Sequence, residues 1–248
     1  MCVGPLVMIL RKSISPNWRE MKNWITLRFP LVYGFSNATK KGSLQFTYSQ
    51  CGEDLAIATY LPERYGMYVD VGAGHPVIGS NTFKLDKRGF EGIVIEPISK
   101  FAFEFKKRNS KVKVYQTICS SDRSETPFFE FEKSFLSTSS IEDSERLIKS
   151  GEVLLQISRV TPIRLSDLNL SITPEVPSLL DIDTEGTDLS VLRSNDWIKF
   201  RPRVVLVETH PRDRVQIVEF LESVRYHEVA HCEMTVIFLA DEYDPKAV

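Results

Sequence analysis

The sequence is poor in several things at once. It has four cysteines in 248 residues, Cys2, Cys51, Cys119 and Cys232, and no two stand close enough for a Cys-x-x-Cys pair. That spacing excludes a zinc ribbon or a thioredoxin-type redox site. A chain of this length buries a full core without disulfides, so the cysteines read as reduced thiols of a cytoplasmic protein. Histidine is equally scarce, with His75, His210, His227 and His231 the only four. There is no excess of charge, 31 basic against 33 acidic side chains, and hence no overall basic character suited to nucleic acid. Long apolar runs are missing too. Met1 to Leu10 is apolar, but its charges follow it rather than precede it, and a spanning helix needs roughly 20 apolar residues. Neither a signal peptide nor a transmembrane segment is expected.

What is present is unevenly placed. Residues 1–50 carry seven Lys/Arg against one acid, while the remainder carries 24 against 32. Residues 1–45 therefore read as a basic extension and 46–248 as an acidic domain. The extension is broken by Pro5, Pro16 and Pro30. It could hold one short helix, Asn17 to Leu27, with Ser15 as its N-cap. The extension could be a solvated segment packed by its aromatics, help bind an anionic glycan or a lipid-linked acceptor, or touch an anionic membrane peripherally through its Trp/Lys/Arg stretch 18–29.

From Tyr65 the chain alternates strand and helix. Strands are expected at Met67–Val71, Gly92–Glu96, Val112–Thr117, Ser178–Asp183, Val204–Glu208, Tyr226–Ala230 and Thr235–Leu239, mostly short runs rich in Val and Ile. Helices fit at Glu53–Leu61, Asn81–Arg88, Lys100–Arg108, Asp188–Asn195 and Arg212–Val224. This rhythm predicts an α/β fold with a mostly parallel sheet and helices on both faces. Residues 124–170 interrupt it. Thr126–Phe131 and Val153–Arg164 read as a hairpin insertion, separated by a polar, Ser-rich segment (134–150) expected to be a mobile loop or lid.

The clearest motif is Asp70-Val71-Gly72-Ala73-Gly74, a strand ending in a glycine turn. Glycines there let the backbone approach a ligand, at the strand end where open α/β sheets bind theirs. Twenty-two residues on, Glu96 ends the second strand, placed to accept both hydroxyls of a ribose. A dinucleotide and S-adenosylmethionine both suit this layout. The dinucleotide fingerprint requires a third glycine where Val77 stands. Asp70 beside the turn is awkward for two phosphates and suits the ammonium and sulfonium charges of S-adenosylmethionine. Two later strands end in Asp181-Ile182-Asp183-Thr184-Glu185-Gly186 and Val207-Glu208-Thr209-His210, collecting acids and a histidine at the same sheet edge.

Together with Tyr48-Ser49-Gln50-Cys51-Gly52-Glu53-Asp54, Ser80-Asn81-Thr82 and Ile95-Glu96-Pro97, these segments resemble the FkbM-type S-adenosylmethionine-dependent methyltransferases over residues 46–240. The resemblance implies a Rossmann-like, seven-stranded methyltransferase sheet with its last strand antiparallel. It also implies methyl transfer to a hydroxyl of a sugar, glycan or glycosylated metabolite. Carried over to this sequence, Asp70, Gly72, Ala73 and Gly74 would line the methionine part of the donor, and Glu96 with Pro97 the ribose. Ser120 and Asp122 would lie near the adenine, while Gln50 caps the pocket. Asn81 and Thr82 would open a helix towards the donor carboxylate, and Asp183 would face the methyl group. A hydroxyl needs a base, for which His210, Asp183 and His75 are candidates. Asp181, Asp183, Glu208 and His210 could instead hold Mg²⁺ or Mn²⁺, a reading favoured less than direct hydrogen bonding. The alternatives are a nicotinamide-dependent oxidoreductase, or a binding protein that kept the fold without the chemistry.

Overall fold

The computed structural model describes residues 46–109 and 111–243. The helix expected at Asn17–Leu27 and the roles considered for residues 1–45 lie outside them. The chain divides into two units, Met1–Thr47 and Tyr48–Val248, and the second carries the fold described here.

Seven strands form one sheet: β1 (Met67–Val71), β2 (Glu91–Ile95), β3 (Lys113–Tyr115), β6 (Ser178–Ile182), β7 (Val204–Glu208), β8 (Tyr226–Cys232) and β9 (Thr235–Ala240). Their spatial order is β3-β2-β1-β6-β7-β9-β8. Pairings from β3 to β7 are parallel, and β9 runs antiparallel to both β7 and β8. Helices α1 (Glu53–Tyr60), α2 (Phe83–Lys87), α3 (Ser99–Arg108), α5 (Asp188–Arg193) and α6 (Arg214–Ser223) complete the layers.

The central strands are apolar because both of their faces are covered. Alternation sends Val69, Val71, Leu180, Ile182, Val205 and Val207 into one core. Tyr68, Leu179, Val204 and Leu206 enter the other, beside Ile57 and Leu61 of the α1 region. Each fully buried Val or Leu contributes on the order of 1.5–3 kcal/mol, which fixes the register of β1 against β6. That register places Asp70 directly opposite Asp181, near the carboxyl ends of both strands. The fold therefore positions two acids side by side and lets no neighbouring apolar residue shift without exposing the core.

The insertion is more ordered than the sequence suggested. Strands β4 (Thr126–Phe131) and β5 (Leu154–Val160) pair antiparallel, with a register shift at Glu130/Phe131. The segment expected to be a mobile loop is a 3-10 turn (Ser134–Leu136) followed by a helix, α4 (Ile141–Lys149). Ser140 caps that helix by accepting from the Asp143 amide at 3.2 Å. The Ser cluster read as loop composition is thus a helix start signal. One face of the β4–β5 pair packs through Phe128 and Val160 on Ile98 and Phe101 at the start of α3 and on Ile118 beyond β3.

Replacing Ser140 with Ala removes this cap, at a cost of about 1 kcal/mol to the helix. Hydrogen exchange should accelerate across residues 141–149 while the sheet amides keep their protection. Unchanged exchange in that segment would show that the cap does not hold the helix.

Candidate active site

Three turns at the carboxyl edge of the sheet build the site. The first follows β1. Gly72 has φ +79°, and a Cβ there would overlap the carbonyl of Asp183. The glycine is therefore required for β1 and the chain after β6 to close on one another, through Asp183 N–H donating to Val71 O at 3.0 Å. The Gly74 amide donates to Glu96 Oε2 at 2.7 Å, and the Ile98 amide to Oε1 at 2.7 Å. Glu96 is buried and ties the glycine turn to the end of β2. Burial pushes its carboxyl up to about 7, against the pull of those two amides.

Asp70 is buried on the α1/α2 side of the sheet and accepts from the Thr82 hydroxyl at 2.5 Å. Burial raises it to about 7. Asp181 accepts weakly from Asn81 Nδ2 at 3.4 Å and is raised by burial and then by Asp70. Thus Asn81 and Thr82, expected at the donor carboxylate, spend their side chains on the two facing aspartates. Gln50 is exposed, with its Cγ about 3.5 Å from the position a Cβ on Gly79 would take. Ala73 packs against the core cluster containing Tyr68.

The second and third turns follow β6 and β7. Asp183 is pushed up to about 7 by burial and then by Asp188, and it shares a hydrogen bond with Glu208. Glu208 is raised too, through burial and then Asp183, so the two carboxyls favour keeping one proton between them. Glu185 rises to about 8 for the same two reasons, and its φ of +54° is uncommon for a residue with a side chain. His210 Nε2 lies 3.5 Å from Glu208 Oε2. Among the described residues Glu185, Glu208 and His210 can each bring one ligand atom within 4.8 Å of the others. That trio shares Glu208 and His210 with the expected metal set but lacks Asp181, which accepts from Asn81, and Asp183, which pairs with Glu208; Glu185 stands in it instead.

Other expected residues stand apart from this edge cluster. His75 Nδ1 accepts from the Val77 and Ile78 amides at 3.1 and 2.9 Å. Its Nε2 faces Glu104 at 3.7 Å, and its ring meets the edge of Phe101. Burial, followed by Lys100 and Arg108, pushes it down to about 4. A ring nitrogen holding two amides is an anchor for the turn, which accounts for His75 without a proton-transfer role. Asp122 is exposed and accepts from the Ser124 amide at 2.9 Å. The Ser120 hydroxyl lies 3.0 Å from that of Ser190, at the start of α5. Pro97 is half-buried beside Glu96.

Residues missed by sequence reasoning matter here. Glu53 is buried, accepts from the Cys51 amide at 2.7 Å, and adds its charge to Asp181 and Asp183. Two adjacent acids in the first turn of a helix look like dipole complements, which hid it. Asp188 closes the Thr184–Gly186 turn, accepting from the Thr184 amide and hydroxyl at 2.9 Å each. Asp143 of α4 binds Arg212 bidentately at 2.7 and 2.5 Å, linking the insertion to the loop after His210. Gly186 leaves room for that pair, since a Cβ would collide with both side chains. Long-range ion pairs of this kind have no local sequence signal.

The strand order, with its parallel core and antiparallel last strand, is that of a class I S-adenosylmethionine-dependent methyltransferase. A family model, the methyltransferase FkbM domain, matches residues 70–234. The chain belongs to this family. Its match begins at Asp70 and spans the glycine turn, Glu96 and the His210 turn. No curated protein matches the sequence. Among solved structures, it is similar to the methyltransferase FkbM from Methylobacillus flagellatus KT, with 14% identity and a TM-score of 0.45. That alignment covers 71% of this chain and 44% of the other, so this chain spans less than half of that protein's length. A TehB-like S-adenosylmethionine-dependent methyltransferase from Corynebacterium glutamicum aligns at 10% identity and TM-score 0.42, covering 85% and 96% of the two chains. The precorrin-6y C5,15-methyltransferase from Geobacter metallireducens GS-15 aligns at 13% and 0.38, covering 75% and 83%.

The donor this family uses fits the residues. It carries a sulfonium and an ammonium charge, and the β1/β6 edge offers buried acids with no buried cation hydrogen-bonded to Asp70, Asp181 or Asp183 among the described residues. The acids' raised pKa values have a further consequence. Each binds its proton more tightly folded than unfolded, so stability present near pH 4 is lost as pH rises through about 7. The ligand-free protein should melt at a lower temperature at pH 8 than at pH 5.5. Asp183→Asn should flatten that slope. A melting temperature that rises between the two pH values would contradict the raised pKa values.

Proposed function

We propose that this chain is an O-methyltransferase whose acceptor is a hydroxyl of a sugar, glycan or glycosylated metabolite. The observation that carries the proposal is the position of His210. It follows β7 at the same sheet edge as the glycine turn, with its Nε2 3.5 Å from Glu208 Oε2. S-adenosylmethionine, when bound, supplies an electrophilic methyl group on sulfur. The protein's task is to align an acceptor oxygen with that carbon and to take its proton.

In this reading His210 is the base. Its imidazole can accept the hydroxyl proton, and the single negative charge that the Asp183–Glu208 pair carries once one of the two is ionised stabilises the resulting imidazolium. Asp183 also shapes the wall facing the methyl group, and its carboxylate is the second candidate for the base. Glu96 holds the ribose hydroxyls with the lone pairs left after Gly74 and Ile98 are served. Asp70 and Asp181, backed by Glu53, supply the negative potential that attracts the donor's ammonium. Asp122 keeps the Ser120–Ser124 turn in place beside the adenine position. Hydroxyl acceptance follows the family resemblance, and the polar edge suits a carbohydrate. Cys119 is a buried thiol with its Sγ 3.5 Å from the Ser194 hydroxyl, which fits a reducing cytoplasmic compartment. No helix among the described residues is long and apolar enough to cross a membrane.

Calorimetry with S-adenosylhomocysteine and NADH separates this reading from the oxidoreductase one. Binding of S-adenosylhomocysteine is expected, and NADH binding in its place would overturn the proposal. Glu96→Ala should weaken S-adenosylhomocysteine binding by about tenfold or more, as for the loss of a charge-assisted hydrogen bond. His210→Ala should keep that affinity and lose turnover by about 10²-fold or more. Turnover at the wild-type rate would remove His210 from the reaction. If EDTA abolished activity and Mg²⁺ restored it, the Glu185–Glu208–His210 trio would be a metal site and not a base.

A further inference from the structure

A cavity of about 400 Å³ lies between the start of α4, the α5 helix and the first turn of α6. Gly186 and Thr187, on the turn after β6, form part of its wall, and none of Asp70, Gly72, Gly74 and Glu96 lines it. It therefore lies next to the transfer edge and apart from the glycine turn and Glu96, and reaches the Ser120–Ser124 turn only through Ser121.

Its lining has an unusual balance. Arg193 projects from the end of α5, exposed, with no hydrogen bond or ion pair among the described residues. Arg212 is anchored by Asp143, with its Nε 4.0 Å from Asp213. Asp213 is the N-cap residue of α6, where an aspartate ordinarily accepts from an amide of the first turn. Here its side chain makes no capping bond, and its Oδ1 is buried without a donor. Leaving a carboxylate oxygen buried and unserved costs free energy that a ligand donor would recover. Gln216, one turn along α6, offers an amide that both donates and accepts, and Glu142 closes the opposite side.

The charges exclude the simplest ligands. An anion placed here meets Glu142 and Asp213, and a cation meets Arg193 and Arg212. No aromatic side chain lines the cavity, so nothing stacks on a planar base. A neutral sugar uses all of these groups, because every hydroxyl donates once and accepts twice.

We propose that this cavity is an acceptor subsite that holds a neutral sugar unit adjoining the one methylated, with Arg193 and Asp213 as its specificity-determining residues. The proposal rests on the carbohydrate reading of the acceptor. It adds a second point of attachment, contributed partly by the insertion, beyond the hydroxyl presented to His210. A glycan of at least two units would then be preferred over a monosaccharide, since remote contacts position the reacting group.

The test uses the full chain saturated with S-adenosylhomocysteine and saturation-transfer NMR with glucose, maltose, cellobiose, lactose and glucose 1-phosphate. At least one neutral disaccharide should bind, more tightly than glucose. Arg193→Ala and Asp213→Asn should each weaken it by about tenfold, as expected for losing a charge-assisted hydrogen bond, with S-adenosylhomocysteine affinity unchanged. Arg193 is exposed, so its variant tests binding without disturbing the core. The proposal is overturned if no neutral disaccharide binds, if both variants bind as the wild type does, or if glucose 1-phosphate binds best. A protein that methylates a disaccharide with the same KM in both variants keeps the carbohydrate reading and loses this subsite. Variant-sensitive sugar binding without methylated product would do the reverse.

Discussion

The structure depends on the burial of like charges. Asp70, Asp181 and Asp183 sit at the carboxyl ends of β1 and β6, with Glu53 behind them and Glu208 beside them on β7. Carboxylates in such a place cannot all ionise, because desolvation and mutual repulsion each oppose it. The protein tolerates them by sharing protons, as Asp183 and Glu208 do, and by spending Thr82 and Asn81 on the other two. The apolar register of β1 against β6 holds the arrangement in place. Moving Asp70 away from Asp181 would pull Val69, Val71, Leu180 and Ile182 out of the core. The hydrophobic interior thus enforces an electrostatic strain that a cationic ligand relieves.

That strain links the fold to its chemistry. A doubly charged donor meets the acids that the empty fold must keep partly protonated. Glu96, one strand away, has the same character but a different duty, since two amides already hold it and orient both oxygens. At the far end of the edge, Glu208 shares a hydrogen bond with Asp183 while His210 stands next to it. In the proposed reading one cluster supplies electrostatic attraction, a fixed polar contact and a proton acceptor, separated by environment rather than by residue type.

Much of this was legible in the sequence. The strands Met67–Val71 and Val204–Glu208 were read with the bounds the structure shows, because strands covered on both faces announce themselves as apolar runs. The acids were found because they stand at the ends of those runs. Local patterning could not disclose contacts made at long range. The α4 helix reads as a loop because it is short and Ser-rich, and its hold comes from the Ser140 cap and from Arg212, 69 residues beyond Asp143. His75 was read as a candidate base by its position after the glycine turn, and its bonds to Val77 and Ile78 show a turn anchor. Glu53 and Glu185 gained their significance only once α1 and the β6 turn were brought to the same edge.

The central claim is that the donor's positive charge takes over from protons bound by these acids. Calorimetric titration with S-adenosylmethionine at pH 7, in buffers of different ionisation enthalpy, counts those protons. The account predicts net proton release on binding, growing smaller as the pH is raised beyond the acids' range. Binding with no proton release at pH 7, or with uptake, would contradict it.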